Sequence, residues 1–283
     1  MRHIGGHVST AGGIANALKN TTLIGGNCLQ IFAGSPRSWA RKLYDDEDVS
    51  VYLKEATKLD YTPTFIHALY LVNLATDNPD LLQKSIDSLI IDLTNGRSIN
   101  SAGVIVHLGS HQGRGFDAVS DQVVDVIKKI INATEKIPFV IENSAGQKGK
   151  IGSITEIGEL FAKVNHPRLK LCLDSAHLFE AGYDLRNLSA IDSLVNELSV
   201  DGLLDHLICL HVNDSKTEFD SRNDQHANLG DGQIGLTGLS NFVNHPSFSH
   251  LPLILETPGD LGFPDAKQIT IAKSLTTLTS AKE

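Results

Sequence analysis

The chain has 283 residues, 41% hydrophobic and 20% charged, with 24 basic against 33 acidic side chains and a formal charge of −9. That length suits one α/β domain spanning residues 1–283, and the acidic balance argues against a general nucleic-acid coat. No apolar stretch approaches a membrane span, and the N-terminus from Met1 to Gly6 lacks a secretory apolar region, so a cytoplasmic chain with no membrane attachment is expected.

A first strand is expected at His3–Val8 and a second at Cys28–Phe32, which stops at Ala33-Gly34-Ser35-Pro36. Six further apolar runs each stop on a histidine or a carboxylate. Thr64-Phe65-Ile66 leads into His67, Val104-Ile105-Val106 into His107, and Phe139-Val140-Ile141 into Glu142. Leu171-Cys172-Leu173 leads into Asp174, Leu207-Ile208-Cys209-Leu210 into His211, and Leu253-Ile254-Leu255 into Glu256. Runs of this length read as strands of a parallel sheet covered on both faces. Between them, Leu81, Ile86, Leu89, Ile90 and Leu93 mark one helix face, and Val119, Val123, Val124, Ile127 and Ile131 another. Ser153-x-x-Glu156 is a capping box opening a helix to about Val164, and helical patterns fit 186–198 and 264–279. Eight strands alternating with helices indicate a (β/α)8 TIM barrel. The three cysteines, Cys28, Cys172 and Cys209, lie inside apolar runs without a paired motif and read as buried, reduced thiols.

A polar residue at the end of a parallel strand faces the carboxyl edge of the sheet, where α/β folds place their chemistry. Any one of the six could be a polar residue emerging from the core or a helix cap. Six independent strands ending on ligand types are a site. Asp174 is followed by His177 at helical spacing, and Asp224 and His226 lie two apart, on one side of an extended segment. The set is then His67, His107, Glu142, Asp174, His177, His211, Asp224, His226 and Glu256. All are nitrogen or oxygen donors suited to Zn²⁺, Mn²⁺ or Fe²⁺, and too many for a single ion. Divalent ions would also offset part of the negative charge within one pocket.

With these residues in view, the chain resembles the endonuclease IV family of apurinic/apyrimidinic DNA repair nucleases. The resemblance rests on Ile4-Gly5-Gly6-His7-Val8-Ser9, Gln30-Ile31-Phe32 with Pro36-Arg37-Ser38-Trp39, and His67-Ala68-Leu69-Tyr70-Leu71-Val72-Asn73-Leu74. It continues through His107-Leu108-Gly109-Ser110, Glu142-Asn143-Ser144-Ala145-Gly146, and Cys172-Leu173-Asp174-Ser175-Ala176-His177 with Ala181-Gly182-Tyr183-Asp184. It closes on His211-Val212-Asn213-Asp214-Ser215-Lys216, Ser221-Arg222-Asn223-Asp224-Gln225-His226 and Leu255-Glu256-Thr257-Pro258. It implies a barrel with a trinuclear zinc cluster: His67, His107 and Glu142 around one ion; Glu142, Asp174, His211 and Glu256 around a second; His177, Asp224 and His226 around the third. Glu142 would bridge, and Glu142 and Glu256 would carry the catalytic role.

The implied activity is cleavage of the phosphodiester 5′ to an abasic site in duplex DNA, leaving a 3′-hydroxyl and a 5′-deoxyribose phosphate, by hydroxide generated on the metal. Duplex DNA with abasic sites or blocked 3′ ends would be the partner of a monomer, and Mn²⁺ could replace Zn²⁺ at some sites. Arg37, Tyr70, Leu71 and Arg222 fall in segments that resemble the family's DNA-contacting loops, with Tyr70-Leu71 as a wedge at the lesion. Three departures stand out. Gln225 occupies a position where arginine is common, Asp220 one where glycine is common, and Ser175-Ala176 varies the usual Thr-Cys or Thr-Ala. The first two make their loop less basic. Two other readings remain open on the residues: a metal-dependent sugar isomerase or epimerase on the same barrel, and a catalytically silent DNA-lesion binder.

Overall fold

The apolar runs pair side by side as expected. The computed structural model describes residues 2–259 and 264–277. Its strands are β1 (Ile4–His7), β2 (Cys28–Phe32), β3 (Thr64–His67), β4 (Gly103–Val106), β5 (Phe139–Glu142), β6 (Leu169–Asp174), β7 (Leu207–His211), β8 (Asp214–Ser215), β9 (His226–Ala227) and β10 (Leu253–Leu255). Eight of them close a parallel barrel in the order β1-β10-β7-β6-β5-β4-β3-β2, while β8 and β9 form a separate two-stranded antiparallel ribbon. The helices are α1 (Ala15–Ile24), α2 (Asp46–Leu59), α3 (Pro79–Ser98), α4 (Ser120–Asn132), α5 (Ile154–Val164), α6 (Ser175–Glu180), α7 (Leu188–Val200), α8 (Gly235–Asn244) and α9 (Ala266–Leu275). None of the described helices is long and apolar enough to cross a membrane.

Of the expected α3 face, Ile86, Leu89 and Leu93 are buried and Leu81 and Ile90 half-buried; the five residues read for α4 are all buried, and Ser153 and Glu156 cap α5 reciprocally. The expected helix at 264–279 is α9; residues 278 and 279 lie outside the described residues, as does Met1. The ribbon was not expected. Two residues per strand are too few to show an alternating pattern.

Side chains alternate across a strand, so inward-facing residues recur every second position. Cys28, Phe65, Ile105, Val140, Cys172, Cys209 and Ile254 form a small apolar cluster separate from the larger one under the helices. β1 contributes Gly5 at this level, where a Cβ would collide with the Cys28 carbonyl, so only glycine fits. Two residues further along each strand stand His7, Gln30, His67, His107, Glu142, Asp174, His211 and Glu256. The ring of polar side chains at the barrel mouth is therefore the tier directly above the apolar plug. His107 and Glu256 sit one residue past their strands; His67, Glu142, Asp174 and His211 end theirs.

The segment between β2 and α2 has no regular structure and is tied to α3. Arg41 pairs with Asp92 at 3.4 Å, both side chains buried. Asn95 accepts from the Tyr44 N–H and donates to the Lys42 carbonyl. Burial pushes the Asp92 carboxyl up to about 7, with Arg41 only partly opposing it. Between its ordinary 3.8 and about 7 the folded chain holds a proton that the unfolded chain has released. Stability therefore falls as pH rises through that window, by up to about 1.4 kcal/mol per unit. Asp92→Asn is expected to flatten this slope, read as urea midpoints between about pH 5 and pH 8.

Candidate metal centre

Four imidazoles converge on one buried carboxylate. Glu142 Oε2 lies 3.1 Å from His67 Nε2 and 3.3 Å from His107 Nε2, while its Oε1 lies 2.9 Å from His211 Nδ1 and 3.5 Å from His177 Nδ1. Each oxygen thus serves a different group of donors. Glu256 Oε2 is 3.3 Å from His211 Nδ1, and Asp174 Oδ2 is 3.9 Å from it. On the other side, His226 Nε2 is 3.7 Å from both Asp174 Oδ2 and Asp224 Oδ1, and His177 Nε2 is 3.3 Å from Asp224 Oδ1.

Three sets of donor atoms are close enough together to share an ion: His67, His107 and Glu142; Glu142, Asp174, His211 and Glu256; and Asp174, His177 and His226. All nine side chains singled out in the sequence come together here. The division differs in one respect: Asp174 belongs to the second and third sets, so it joins them as Glu142 joins the first and second. Asp224 stands beside the third set through His177 and His226.

Neighbouring groups choose which ring nitrogen of each histidine faces the centre. His67 Nδ1 donates to the Ala68 carbonyl (2.7 Å) and His177 Nδ1 to the Asn143 carbonyl (3.0 Å), which turns Nε2 of each toward the centre. For His211 the arrangement is reversed: Nε2 donates to Gln30 Oε1 (2.8 Å), so Nδ1 turns to the carboxylates. Such outer partners fix ring orientation and ligand basicity. Asn213 steadies Asp174 by donating to Oδ2 (2.6 Å) and accepts the Glu256 N–H. Asp174 also caps α6, accepting the His177 N–H at Oδ1, which is why the two side chains are adjacent.

Electrostatics keep the carboxylates of the centre ionised. Burial alone would raise the Glu142 and Glu256 carboxyls, but the histidines around them outweigh it and hold both well below the ordinary range. Asp224 is likewise lowered, burial being overcome by His177. Burial drives His107 down to about 4, so its imidazole is neutral and ready to donate. The buried His177 Nε2 and His226 Nε2 have no hydrogen-bond partner among the described residues. Two ring nitrogens that lie beside ionised carboxylates without a well-formed hydrogen bond fit a divalent ion. Cys172 and Cys209 also approach His211. Burial pushes both thiols up, so they remain protonated members of the apolar plug.

Two members of the ring were missed as site residues. Gln30 donates to Glu256 Oε1 (2.6 Å) and contacts His7 Nδ1 (2.9 Å), which itself lies 3.3 Å from Glu256. The signal was available: the two-residue step from plug to mouth, applied to Gly5 and Cys28, arrives at His7 and Gln30.

The centre opens into a cavity of about 600 Å³, lined by His7, Phe32, Tyr70, Asp224 and Glu256 among others. Of these, Tyr70 is 61% exposed and its neighbour Leu71 38%, both on a turn. The Tyr70 ring meets Phe32 edge-on at 5.4 Å, and its N–H donates to the Pro36 carbonyl, beside the exposed Arg37. Arg222, also exposed, lies 3.4 Å from Asp220. Both residues have left-handed backbone, φ 55° and 54°. Glycine takes that conformation freely and aspartate tolerates it, so the backbone at 220 accepts an aspartate, which adds a charge beside Arg222.

A family model described as a xylose isomerase-like TIM barrel matches residues 19–277. The chain is 38% identical over 258 residues to "Probable endonuclease 4" of Halothermothrix orenii, covering 90% of this chain and 93% of the relative. Endonuclease IV from Thermus thermophilus superposes with a TM-score of 0.86 at 32% identity, covering 98% of this chain and 100% of that one. A 3-keto-D-glucoside 4-epimerase from E. coli shares the fold alone, at 11% identity and a TM-score of 0.70, covering 98% and 100% of the two chains.

Gln30→Leu removes the acceptor that orients the His211 ring. It should weaken metal binding by about 10–100-fold in a chelator competition while the far-ultraviolet circular dichroism stays unchanged.

Proposed function

The chain belongs to the endonuclease 4 family, and from that premise we propose that it hydrolyses the phosphodiester 5′ to abasic sites in duplex DNA with three bound zinc ions. The observation that carries this reading is the sharing of Glu142 and Asp174 among three adjoining donor sets beneath one open cavity. A single-ion site needs no such sharing. Two-metal and three-metal centres are suited to phosphodiesters because several charged oxygens must be stabilised at once.

The residues divide the work. His67, His107 and Glu142 hold one cation, Glu142, Asp174, His211 and Glu256 a second, and Asp174, His177, Asp224 and His226 a third; Mn²⁺ suits the same donors. When bound, such ions supply Lewis acidity and charge neutralisation for a phosphate group. Glu256, which lines the cavity, and Glu142, buried beneath it, are the catalytic carboxylates. Tyr70 and Leu71 enter the gap left by the missing base, where unstacking is least costly. Arg37 and Arg222 meet the backbone, and the Asp220–Arg222 pair moderates that attraction.

The sugar-epimerase alternative draws on the shared barrel, and fold alone does not carry function. A small sugar has no use for an exposed aromatic–aliphatic wedge or for a third donor set.

Two outcomes are expected. Glu142→Gln should abolish incision of a duplex carrying a tetrahydrofuran abasic analogue, by at least about 10³-fold, with the fold intact. A metal-replete wild-type chain that leaves this duplex uncut while turning over ketosugars would reverse the assignment. Tyr70→Ala should weaken binding to the abasic duplex by roughly tenfold, within the range of about 1–3 kcal/mol for one stacked base, while scarcely changing affinity for intact duplex.

A further inference from the structure

Glu180 ends α6, three residues after His177, and is fully buried. Its Oε1 accepts from Ser215 Oγ (2.7 Å), from Thr217 Oγ1 (3.2 Å) and from the backbone N–H of Gln225 (3.3 Å). All three donors belong to the ribbon of β8 and β9 or to the loop that joins its strands. The same end of α6 holds that loop by its carbonyls as well: Phe179 accepts from the Asp220 N–H (3.2 Å) and Glu180 from the Arg222 N–H (3.0 Å).

Gln225 is the critical point. Its N–H goes to Glu180 and its carbonyl accepts from the Lys216 N–H (2.8 Å), so its backbone is fixed from both sides. Its immediate neighbours are Asp224 and His226. A ribbon of two residues per strand cannot hold itself rigid. A buried carboxylate is a costly way to fill space and is retained where its hydrogen bonds are needed.

We propose that Glu180 is the positioning residue of the third donor set: its carboxylate latches the β8–β9 ribbon to α6 and so fixes how Asp224 and His226 converge on His177. One short helix then carries both halves of the arrangement. Asp174 and His177 stand at its start, and the latch for the opposing pair stands at its end. Glu180 itself does not share an ion with these residues; it acts through the ribbon. The inference rests on the reading of Asp174, His177, Asp224 and His226 as a cation site.

The test is zinc stoichiometry and affinity on the full chain. Wild type, Glu180→Ala, Glu180→Gln and Thr217→Val are loaded with Zn²⁺, dialysed, and assayed by elemental analysis and chelator competition. Wild type should retain about three ions per chain. Glu180→Ala should lose the weakest-held ion selectively, its affinity falling by about 10–100-fold, with the other two unchanged. Glu180→Gln keeps an oxygen acceptor in place and should restore most of the loss, and Thr217→Val, which removes one donor on the ribbon, should show a partial loss. Unchanged binding of three ions by Glu180→Ala and Thr217→Val would overturn the latch. So would a Glu180→Gln variant as deficient as Glu180→Ala, because a charge effect would then replace the positioning role. Should Glu180→Ala fail to fold, Thr217→Val and Glu180→Gln decide between these outcomes. A wild-type chain holding no third ion would instead remove the cation reading itself, and the latch with it.

Discussion

The Glu142 carboxylate, wholly buried and surrounded by His67, His107, His177 and His211, is the constraint around which the barrel mouth is arranged. An isolated carboxylate at that depth would cost several kcal/mol in lost hydration. It can stay ionised there only because every direction it faces offers a nitrogen donor. The histidines in turn need a fixed orientation, which Ala68, Asn143 and Gln30 supply. Removing any one of these partners therefore affects the whole assembly.

Much of this is readable in the chain alone. Strands ending on His67, Glu142, Asp174 and His211 announce themselves because a buried parallel strand is apolar along its whole length, so its first polar residue stands out. The structure gathers all nine of the singled-out side chains at the barrel mouth, with Glu142, Asp174 and His211 buried beneath the cavity that the other six line. What escaped was set by tertiary contact. Gln30 lies inside an apolar run and carries no charge, so only its register with the other strand ends, two residues beyond Cys28, separates it from a core residue. Glu180 reads as an ordinary helix-end glutamate; only the ribbon folded over it gives its oxygen three donors. The ribbon itself consists of two-residue strands, below the length at which alternation becomes visible. Helices α1, α2 and α8 were likewise not located by pattern. α2 has only Tyr52 buried, and α8 opens on a glycine.

The site has two mechanical origins. The donors on β3 to β7, with those just past β4 and β10, are positioned by the most regular part of the molecule, where each residue is fixed by hydrogen bonds on both sides. Asp224 and His226 belong to an irregular excursion whose order depends on side-chain hydrogen bonds. The departures from the family pattern, Asp220 and Gln225, fall on that excursion. Gln225 enters the structure through its backbone, and its side chain is exposed. Asp220 shows how a backbone requirement can admit a residue with electrical consequences: the left-handed conformation tolerates aspartate, and the charge comes with it.

The polar tier lies two residues above the apolar plug on every strand, and a strand that slips by one residue exchanges its inner and outer faces. Such a slip would push a carboxylate or histidine toward the helices and bring an aliphatic side chain to the mouth. A closed barrel shares its hydrogen bonds around the ring, so the error would pass to both neighbours. The donor sets are drawn from six of the eight strands. Cation affinity in this chain is thus a readout of whether the barrel closed in register, and misaligned copies would reveal themselves by failing to compete for scarce metal.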